Sequence, residues 1–284
     1  MSQDIITEIR KRNPPGPLYH YTTQSGLQGI IENKCIWATH TQYLNDQSEY
    51  THAVKIILEV INDCIADSTF EPIHASLVDI KEGLHDIEFD NVCVCSFSEN
   101  GDSLSQWRAY GGPTSGYSIG LDYMFMHKVV NHSHLKLWPC LYDKDEQIKL
   151  IHQIISQELQ DVQNMNKFGT ALSRAFILSS ITHYAPMFKD PAFKDEKEWR
   201  IMTDVVNVKD LFFREGKSML IPYTEIPLLG DQDEMSVNEV VIGPTPHIRQ
   251  SHLSVESLLN REGIYKAQGG ATDITDTKVP YRSW

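Results

Sequence analysis

The sequence predicts an α+β fold in which short strands form a central mixed sheet and long helices are inserted between them. Segments with the twofold alternation of strands are clustered along the chain. Helical patterns separate them without the regular strand–helix–strand order of a doubly wound sheet. No linker rich in Gly, Pro or Ser interrupts the 284 residues. We therefore predict a single domain over residues 1–284, with a helical insertion at about 143–188.

The first part of the chain alternates strand and helix patterns. In LYHYTT (18–23), Leu18, His20 and Thr22 face one way and two tyrosines face the other, which predicts a strand. SGLQGIIENK follows as a helix with Ser25 as its predicted N-cap. CIWAT is the next strand, a longer helix starts at Ser48, and a further helix covers roughly 72–88.

The rest of the chain continues this mixed order. Strands are predicted at NVCVCSFS, SGYSIGLDY, LKLWPCLYD, EWRIMTDV, KSMLIPY and VNEVVIGP. GDSLSQWRAYGG is predicted to be a short helix or turn, and longer helices are predicted at 144–163 and 168–188. A last helix is predicted at HIRQSHLSVESLLNREG, and Gly263 ends it. TKVPYRSW is predicted to be an edge strand because Pro280 has no N–H for a ladder.

Composition limits the classes of function. The formal net charge of −13 argues against a broad nucleic-acid surface, since phosphate contacts need Lys and Arg, but it leaves room for a local nucleotide site. No apolar run is long enough for a membrane helix, and the polar N-terminus lacks the apolar core of a secretory signal. Five cysteines without a C-x-x-C pair predict buried thiols in a reducing cytoplasm.

Several well-known motifs are absent or better explained by structure. There is no H-E-x-x-H, no phosphate-binding loop and no G-x-G-x-x-G, and Cys93 and Cys95 follow strand alternation. We therefore predict no metal site. Residues 116–120 read G-Y-S-I-G, which has the lettering of a nucleophile elbow. The serine lies within a β-prone run, so a strand is predicted instead.

Three polar clusters remain, each near the end of a predicted strand. They are His20, the group Ser96, Ser98, Ser103, Ser105, Trp107 and Arg108, and the pair Glu196 and Glu198. Taken singly, each cluster has a structural explanation: His20 as a core histidine, the serine and aromatic group as a capped turn, and the two glutamates as a solvated charge run. Taken together, they suit transfer of a sugar from a dinucleotide: a histidine for a ribose hydroxyl, hydroxyls and aromatic rings for a base, and a carboxylate for the oxocarbenium cation.

Strand alternation gives a geometry for the third cluster. Glu196 and Glu198 are expected on one side of an extended chain, with Lys197 and Trp199 on the other. Arg200 shares the face of Glu198, so it is expected either to neutralise that carboxylate or to bind a pyrophosphate.

Blocks from residue 18 to the C-terminus, among them LYHYT, SLSQWRAYG, EKEWR and PYR, resemble a bacterial family described only as a domain of unknown function. A more distant resemblance is to ADP-ribosyltransferases, which implies a split mixed sheet and NAD as substrate. It implies that Glu198 is catalytic and that Glu196 orients the acceptor. It also implies an NAD-binding set, in which His20 anchors the ribose and Ser96 or Ser98 with Trp107 or Tyr110 shapes the nicotinamide pocket; the set is His20, Tyr21, Thr22, Ser96, Ser98, Trp107, Arg108, Tyr110 and Arg200. The aromatic-Ser-Thr-Ser run of those enzymes is absent; Ser96-Phe97-Ser98 matches it in part.

Three functions stay open on the sequence. The first is an NAD-using ADP-ribosyltransferase or NAD glycohydrolase, as an effector of bacterial defence or a toxin, with an unknown acceptor and a partner protein that inhibits or activates it. The second is a metal-dependent nuclease or phosphodiesterase using His20, Asp46, Glu49 and Glu198. The third is a non-enzymatic sensor of a nucleotide-like small molecule.

Overall fold

The computed structural model describes residues 4–44, 47–84, 91–112, 115–133, 135–165, 170–230 and 234–280. Its helices are α1 Ile5–Arg10, α2 Gln24–Asn33, α3 Gln47–Ala66, α4 His74–Gly83, α5 Leu104–Tyr110, α6 Tyr123–His132, α7 Lys144–Met165, α8 Thr170–Tyr184 and α9 Ile248–Glu262. Its strands are β1 Leu18–Thr23, β2 Cys35–His40, β3 Cys93–Ser98, β4 Gly116–Leu121, β5 Lys136–Pro139, β6 Glu198–Met202, β7 Phe212–Glu215, β8 Leu220–Pro227, β9 Glu239–Ile242 and β10 Asp273–Asp276. The helical pair α7 and α8 lies between β5 and β6 in the chain.

The strands form one open, mixed sheet, which confirms the predicted α+β class. Eight of them follow the order β10-β9-β4-β1-β3-β2-β8-β7, and β6 joins β3 while β5 joins β6. The pair β9–β10 is parallel and the other pairs are antiparallel.

The sheet branches at β3. Along one edge β3 pairs with β6 from Val94 to Ser98. On its other edge it pairs with β2 near Val94 and with β1 only at Ser98. The strands β1 and β2 therefore diverge, and the sheet is open between them opposite Ser96.

Hydrophobic cores lie on both faces of β3 and β6, which is why every residue of these strands except the half-buried Ser96 is buried. One face, with Val94 and Met202, packs against α1, α3, α4, α7 and α8. The other face, with Cys95 and Ile201, packs against α2, α6 and α9. The predicted alternation of Val94 and the two β3 cysteines is confirmed.

The structure also corrects several local predictions. Thr23, not Ser25, caps α2, because its Oγ1 accepts the Gly26 N–H at 3.2 Å. The last described residues, 277–280, are not a strand; the edge strand is β10, just before them. The helices α1 and α6 and the strands β7 and β10 were not predicted. Gly116–Leu121 is a strand, as expected, so Ser118 is not on a nucleophile elbow.

No helix among the described residues is long and apolar enough to cross a membrane. The five cysteines carry free thiols, four of them buried.

Candidate functional site

A cleft opens on the β1–β3–β6 region of the sheet. It has about 370 Å³ of empty volume, including its open mouth. Ten residues line it: Tyr19, His20, Tyr21, Ser96, Phe97, Ser98, Gln106, Tyr110, Glu196 and Glu198. Seven of these are residues that the sequence singled out, and Tyr19, Phe97 and Gln106 are additions.

Strand register brings the lining together. Tyr19 of β1 lies opposite Ser98 of β3, and Ser98 lies opposite Glu198 of β6. Directly opposed side chains share one face of a sheet, so the tyrosine, the serine and the carboxylate stand in a row. The helix α5 covers this row with the buried Gln106 and with Tyr110, which is 39% exposed.

A buried ammonium joins the two glutamates of the predicted motif. Lys189 donates short hydrogen bonds to Oε2 of Glu196 and to Oε2 of Glu198. The side chains of Lys189 and Glu198 are each 6% exposed, whereas that of Glu196 is 23% exposed. Glu196 is thus the member of the pair that a ligand reaches more easily.

Arg200 binds the same carboxylate from the other side. Its Nε donates to Glu198 Oε1 at 2.6 Å, and its Nη2 donates to Glu49 Oε2 at 2.8 Å. Nη1 donates to the Pro186 carbonyl at 2.6 Å. The guanidinium is 4% exposed and does not line the cleft. Of the two expected roles for Arg200, the geometry fits neutralising Glu198.

The cluster holds three carboxylates against two cations. Burial alone would raise the pKa of Glu198, but Arg200 and Lys189 outweigh it and lower that pKa to about 2. Burial would lower the pKa of Lys189, yet Glu198 and Glu49 raise it well above its ordinary value. Glu198 is therefore an ionised group with both oxygens occupied by cations, at the floor of the cleft.

A left-handed turn, not an extended chain, sets the positions of the two glutamates. Residues Pro191–Glu196 form a 3₁₀ helix, and Lys197 ends it with φ 45° and ψ 51°. The expected placement of both carboxylates on one side of a strand is thus wrong for Glu196. The turn nevertheless directs both carboxylates to Lys189, and Ser98 Oγ fixes it by donating to the Glu196 carbonyl at 2.7 Å.

His20 lies in the opening between β1 and β2. Its Nδ1 is 3.0 Å from the carbonyl oxygen of Ser96. Because a carbonyl only accepts, this contact requires the proton on Nδ1 and leaves Nε2 as an acceptor. Burial lowers the pKa of His20, against a smaller opposing effect of the Ser96 carbonyl, so the ring is neutral.

Cys95 lies beside His20, with Sγ 3.8 Å from Nδ1. This pair has the composition of a nucleophilic cysteine and its base. However, the thiol is buried, and burial together with the Glu198 charge raises the pKa of Cys95. Since the thiolate is the nucleophile, Cys95 is a structural residue here.

Besides Arg200, three predicted ligand-binding residues do not line the cleft. Thr22 faces α2, where a Cβ on Gly26 would lie 1.9 Å from its Oγ1. Trp107 is buried behind Tyr21, with ring centroids 4.7 Å apart, and its Nε1 donates to Asp102 at 2.8 Å. Arg108 and Trp107 line a separate hollow with Gly111, Gly112, Ser115, Gly116 and Pro244. The α5 turn places these two residues opposite Gln106 and Tyr110.

The described part of the chain contains no preformed metal site, since no three His, Cys, Asp or Glu side chains there converge to bind an ion. Asp46, one proposed ligand, lies outside the described residues. Glu49 lies at this site, bound to Arg200 and 3.4 Å from Lys189.

A family model described as "Protein of unknown function (DUF2971)" matches residues 106–201. The match covers about a third of the chain and runs from α5 to β6, so it includes Tyr110, Lys189, Glu196 and Glu198 but neither His20 nor β3. No curated protein and no solved structure matches the chain. The comparisons thus support the likeness to a family of unknown function over this segment and give no support to the resemblance to ADP-ribosyltransferases.

Sequence reasoning missed Lys189 as a member of the site and gave Glu49 a different role. Lys189 follows Phe188 in an irregular segment nine positions before Glu198, and no periodicity connects the two. Glu49 lies in the first turn of α3, where an acidic residue is already explained by the helix dipole. Neither the position of Lys189 nor that of Glu49 in the sequence distinguishes a buried ion pair from a solvated charge.

Proposed function

We propose that this chain cleaves the glycosidic bond between nicotinamide and ribose in NAD, as an ADP-ribosyltransferase or an NAD glycohydrolase. The proposal is carried by the convergence on one cleft of Glu196, Glu198, a neutral histidine, hydroxyl groups and tyrosine rings. The family match does not bear on this activity.

The charge of the cleft suits this substrate. With three carboxylates and two cations, the buried cluster carries one negative charge in excess. The nicotinamide ring of NAD is cationic, and the ribosyl group becomes a cation as the bond breaks. A fixed negative charge in a low-dielectric site stabilises both. Lys189 and Arg200 are committed to carboxylates, so the cleft does not favour a phosphate.

The open mouth of the cleft suits one end of the dinucleotide. In this proposal the nicotinamide and its ribose enter the cleft, and the pyrophosphate and adenosine remain outside its mouth. Tyr19 and Tyr110 offer ring faces for the base. His20 packs beside Cys95 and Phe97, on the face of β3 opposite that of Ser98 and Glu198, so in this proposal a ribose hydroxyl reaches its Nε2 through the opening opposite Ser96.

The two glutamates take different roles in this proposal. Glu198 supplies the fixed charge, since Arg200 and Lys189 keep it ionised and immobile. Glu196 reaches the ligand, because Lys189 occupies only its Oε2. As the bond between C1′ and the pyridine nitrogen breaks, the electron pair leaves with nicotinamide. An acceptor hydroxyl or water then attacks C1′ and gives its proton to Glu196.

Release of nicotinamide from NAD tests the proposal. We expect release by the wild type, a loss of roughly tenfold or more in Glu196→Gln, and a larger loss in Glu198→Gln. Glu59→Gln is the matched control, since Glu59 forms a surface pair with Lys144 and should behave as wild type. A wild type that releases no nicotinamide from NAD, or that releases it no faster than Glu198→Gln, would refute the proposal.

One observation favours a non-enzymatic sensor as a second candidate. Both oxygens of Glu198 are held by cations, which suits a rigid binding floor as well as a catalytic one. Calorimetry separates the two functions: a sensor binds NAD or a related nucleoside tightly and returns it unchanged. The metal-dependent nuclease is less well supported, because Arg200 and Lys189 occupy the carboxylates of Glu49 and Glu198.

A further inference from the structure

Gln106 brings a buried carboxamide to the wall of the cleft. The residue is 7% exposed, and its Oε1 and Nε2 form no hydrogen bond to any residue in the part of the chain that the structure describes. A glutamine amide offers an acceptor oxygen and an amino group with two donors. Because a buried polar group without partners costs free energy, a ligand in the cleft that supplies both partners is stabilised there.

The helix α5 directs Gln106 into the same space as Tyr110. Residues four positions apart lie on one face of a helix. Burial and the negative charges of Glu198 and Glu196 raise the pKa of Tyr110, so its hydroxyl lies near these carboxylates. Gln106 therefore lies one helical turn before Tyr110 on the wall that faces the glutamates.

Hydrogen bonds fix the N-terminal part of α5 in place. Tyr21 Oη accepts the Ser103 N–H at 2.8 Å, and Asp102 Oδ1 accepts Nε1 of Trp107 at 2.8 Å. A donor and an acceptor on a fixed element lose little conformational freedom when they bind a ligand. The amide of Gln106 is thus positioned before a ligand arrives.

The chemistry of the wall favours a flat ring that carries an uncharged amide. Tyr19 and Tyr110 line the cleft with aromatic rings. An amide on a planar ligand can pair twice with Gln106, since its oxygen accepts from Nε2 and its amino group donates to Oε1. A carboxylate has no donor for Oε1, and the excess negative charge of the buried cluster repels it.

We propose that Gln106 determines the specificity of the cleft by binding the carboxamide of nicotinamide through a pair of hydrogen bonds. The inference rests on the proposed use of NAD and adds a discrimination to it. The cleft accepts a pyridine that carries an amide and disfavours one in which the amide nitrogen is replaced. Gln106 takes no part in bond breaking; it holds the ring while C1′ faces the glutamates.

Selectivity between NAD and its 3-acetylpyridine analogue tests this role. The analogue has a methyl group in place of the amide nitrogen, so it cannot donate to Oε1 of Gln106. Gln106→Met should lower kcat/KM for NAD about tenfold and lower the ratio of kcat/KM for NAD to that for the analogue about fivefold. Comparing this ratio between variants cancels the different intrinsic reactivities of the two substrates. A purely structural role would lower both rates alike and leave the ratio unchanged.

Gln157→Met is the matched control, since Gln157 lies exposed on α7, where it donates to Asp161. It should leave both rates and their ratio as in the wild type. Circular dichroism checks that both variants are folded.

Binding of free nicotinamide separates this inference from the proposed activity. In NMR titrations the wild type should bind nicotinamide more tightly than 3-acetylpyridine, and Gln106→Met should abolish that preference. Cleavage of NAD with a ratio that Gln106→Met does not change overturns the role of Gln106 and leaves the activity standing. A wild type that leaves NAD intact, yet prefers nicotinamide through Gln106, refutes the activity and supports the carboxamide site. A wild type that neither cleaves NAD nor prefers nicotinamide overturns both.

Discussion

Glu198 is a buried carboxylate whose burial costs free energy and whose position is fixed by its hydrogen-bond partners. It makes hydrogen bonds to Lys189 and Arg200, and its own N–H donates to Tyr142 Oη at 2.9 Å. A buried charge with such partners gains little net stability over an apolar residue, but removal of one partner leaves the others uncompensated. We therefore interpret the cluster as an arrangement that keeps the Glu198 carboxylate ionised in a buried site.

The lowered pKa of Glu198 predicts how stability responds to acid. A carboxyl with a folded pKa of about 2 against an ordinary value of 4.5 contributes stability that is complete above 4.5 and is lost as pH falls toward 2. The contribution is on the order of 3 kcal/mol. Urea unfolding of wild type and Glu198→Gln should therefore show a large difference at pH 6 that narrows between pH 4.5 and 2.

Glu59→Gln serves again as the control for that measurement, since its surface pair should contribute less than about 1 kcal/mol at any pH. A difference between wild type and Glu198→Gln that stays constant down to pH 2 would mean that Glu198 does not titrate as the ion pairs require.

His20 was identified from the sequence, but its environment was not. Its position in LYHYT predicted a strand residue and left a core role and a ligand role open. Only the divergence of β1 and β2 shows that the ring fills an opening and bonds the Ser96 carbonyl. That divergence depends on pairing between distant strands, which local pattern does not encode.

The C-terminal ends of α9 and α2 provide the clearest test of how single helices are stabilised. Gly263 ends α9 with φ 65° and has no atom within 4 Å of a built Cβ, so a side chain there meets strain without a clash. Gly263→Ala should cost about 1 kcal/mol of unfolding free energy. Lys34 ends α2 at φ 50° with a side chain already present. Lys34→Gly should therefore be stabilising or neutral, within about 1 kcal/mol.

Thermal unfolding of both variants checks this pair. A Gly263→Ala variant that is more stable than the wild type would show that the left-handed cap at the end of α9 is not required.

Predicted elements were right where burial imposes a pattern. The strands β1, β2, β3, β4, β6, β8 and β9 read as apolar or alternating runs, and all seven occur. By contrast, β7 and β10 are largely exposed on both faces, so their residues carry no alternation. α6 was hidden because its N-terminal residue was assigned to the preceding strand, although Asp122 caps it by accepting from Met124 and Phe125 N–H.

At the scale of the whole molecule, β3 and β6 connect the two cores. Their side chains alternate between the helical core of α3, α7 and α8 and the core beneath α2, α6 and α9. We expect the cores to unfold together, as the predicted single domain requires. Leu150→Ala in one core and Ile119→Ala in the other should each cost roughly 2–5 kcal/mol.

Both variants should shift one common transition, followed by circular dichroism and by tryptophan fluorescence. Coincident curves are the mark of a cooperative unit. Separate transitions, with Leu150→Ala affecting only the earlier one, would instead define the helical insertion as an independent unit.

The left-handed turn at Lys197 has a consequence for how related chains should be recognised. The distance between Glu196 and Glu198 along the chain matters because the turn brings both to a single ammonium. Inserting or deleting one residue between them would separate the carboxylates, whereas Gly or Asn at the middle position would keep them together. A search for homologous sites should hold the spacing and an upstream lysine fixed, and accept at the middle position residues that tolerate a left-handed conformation.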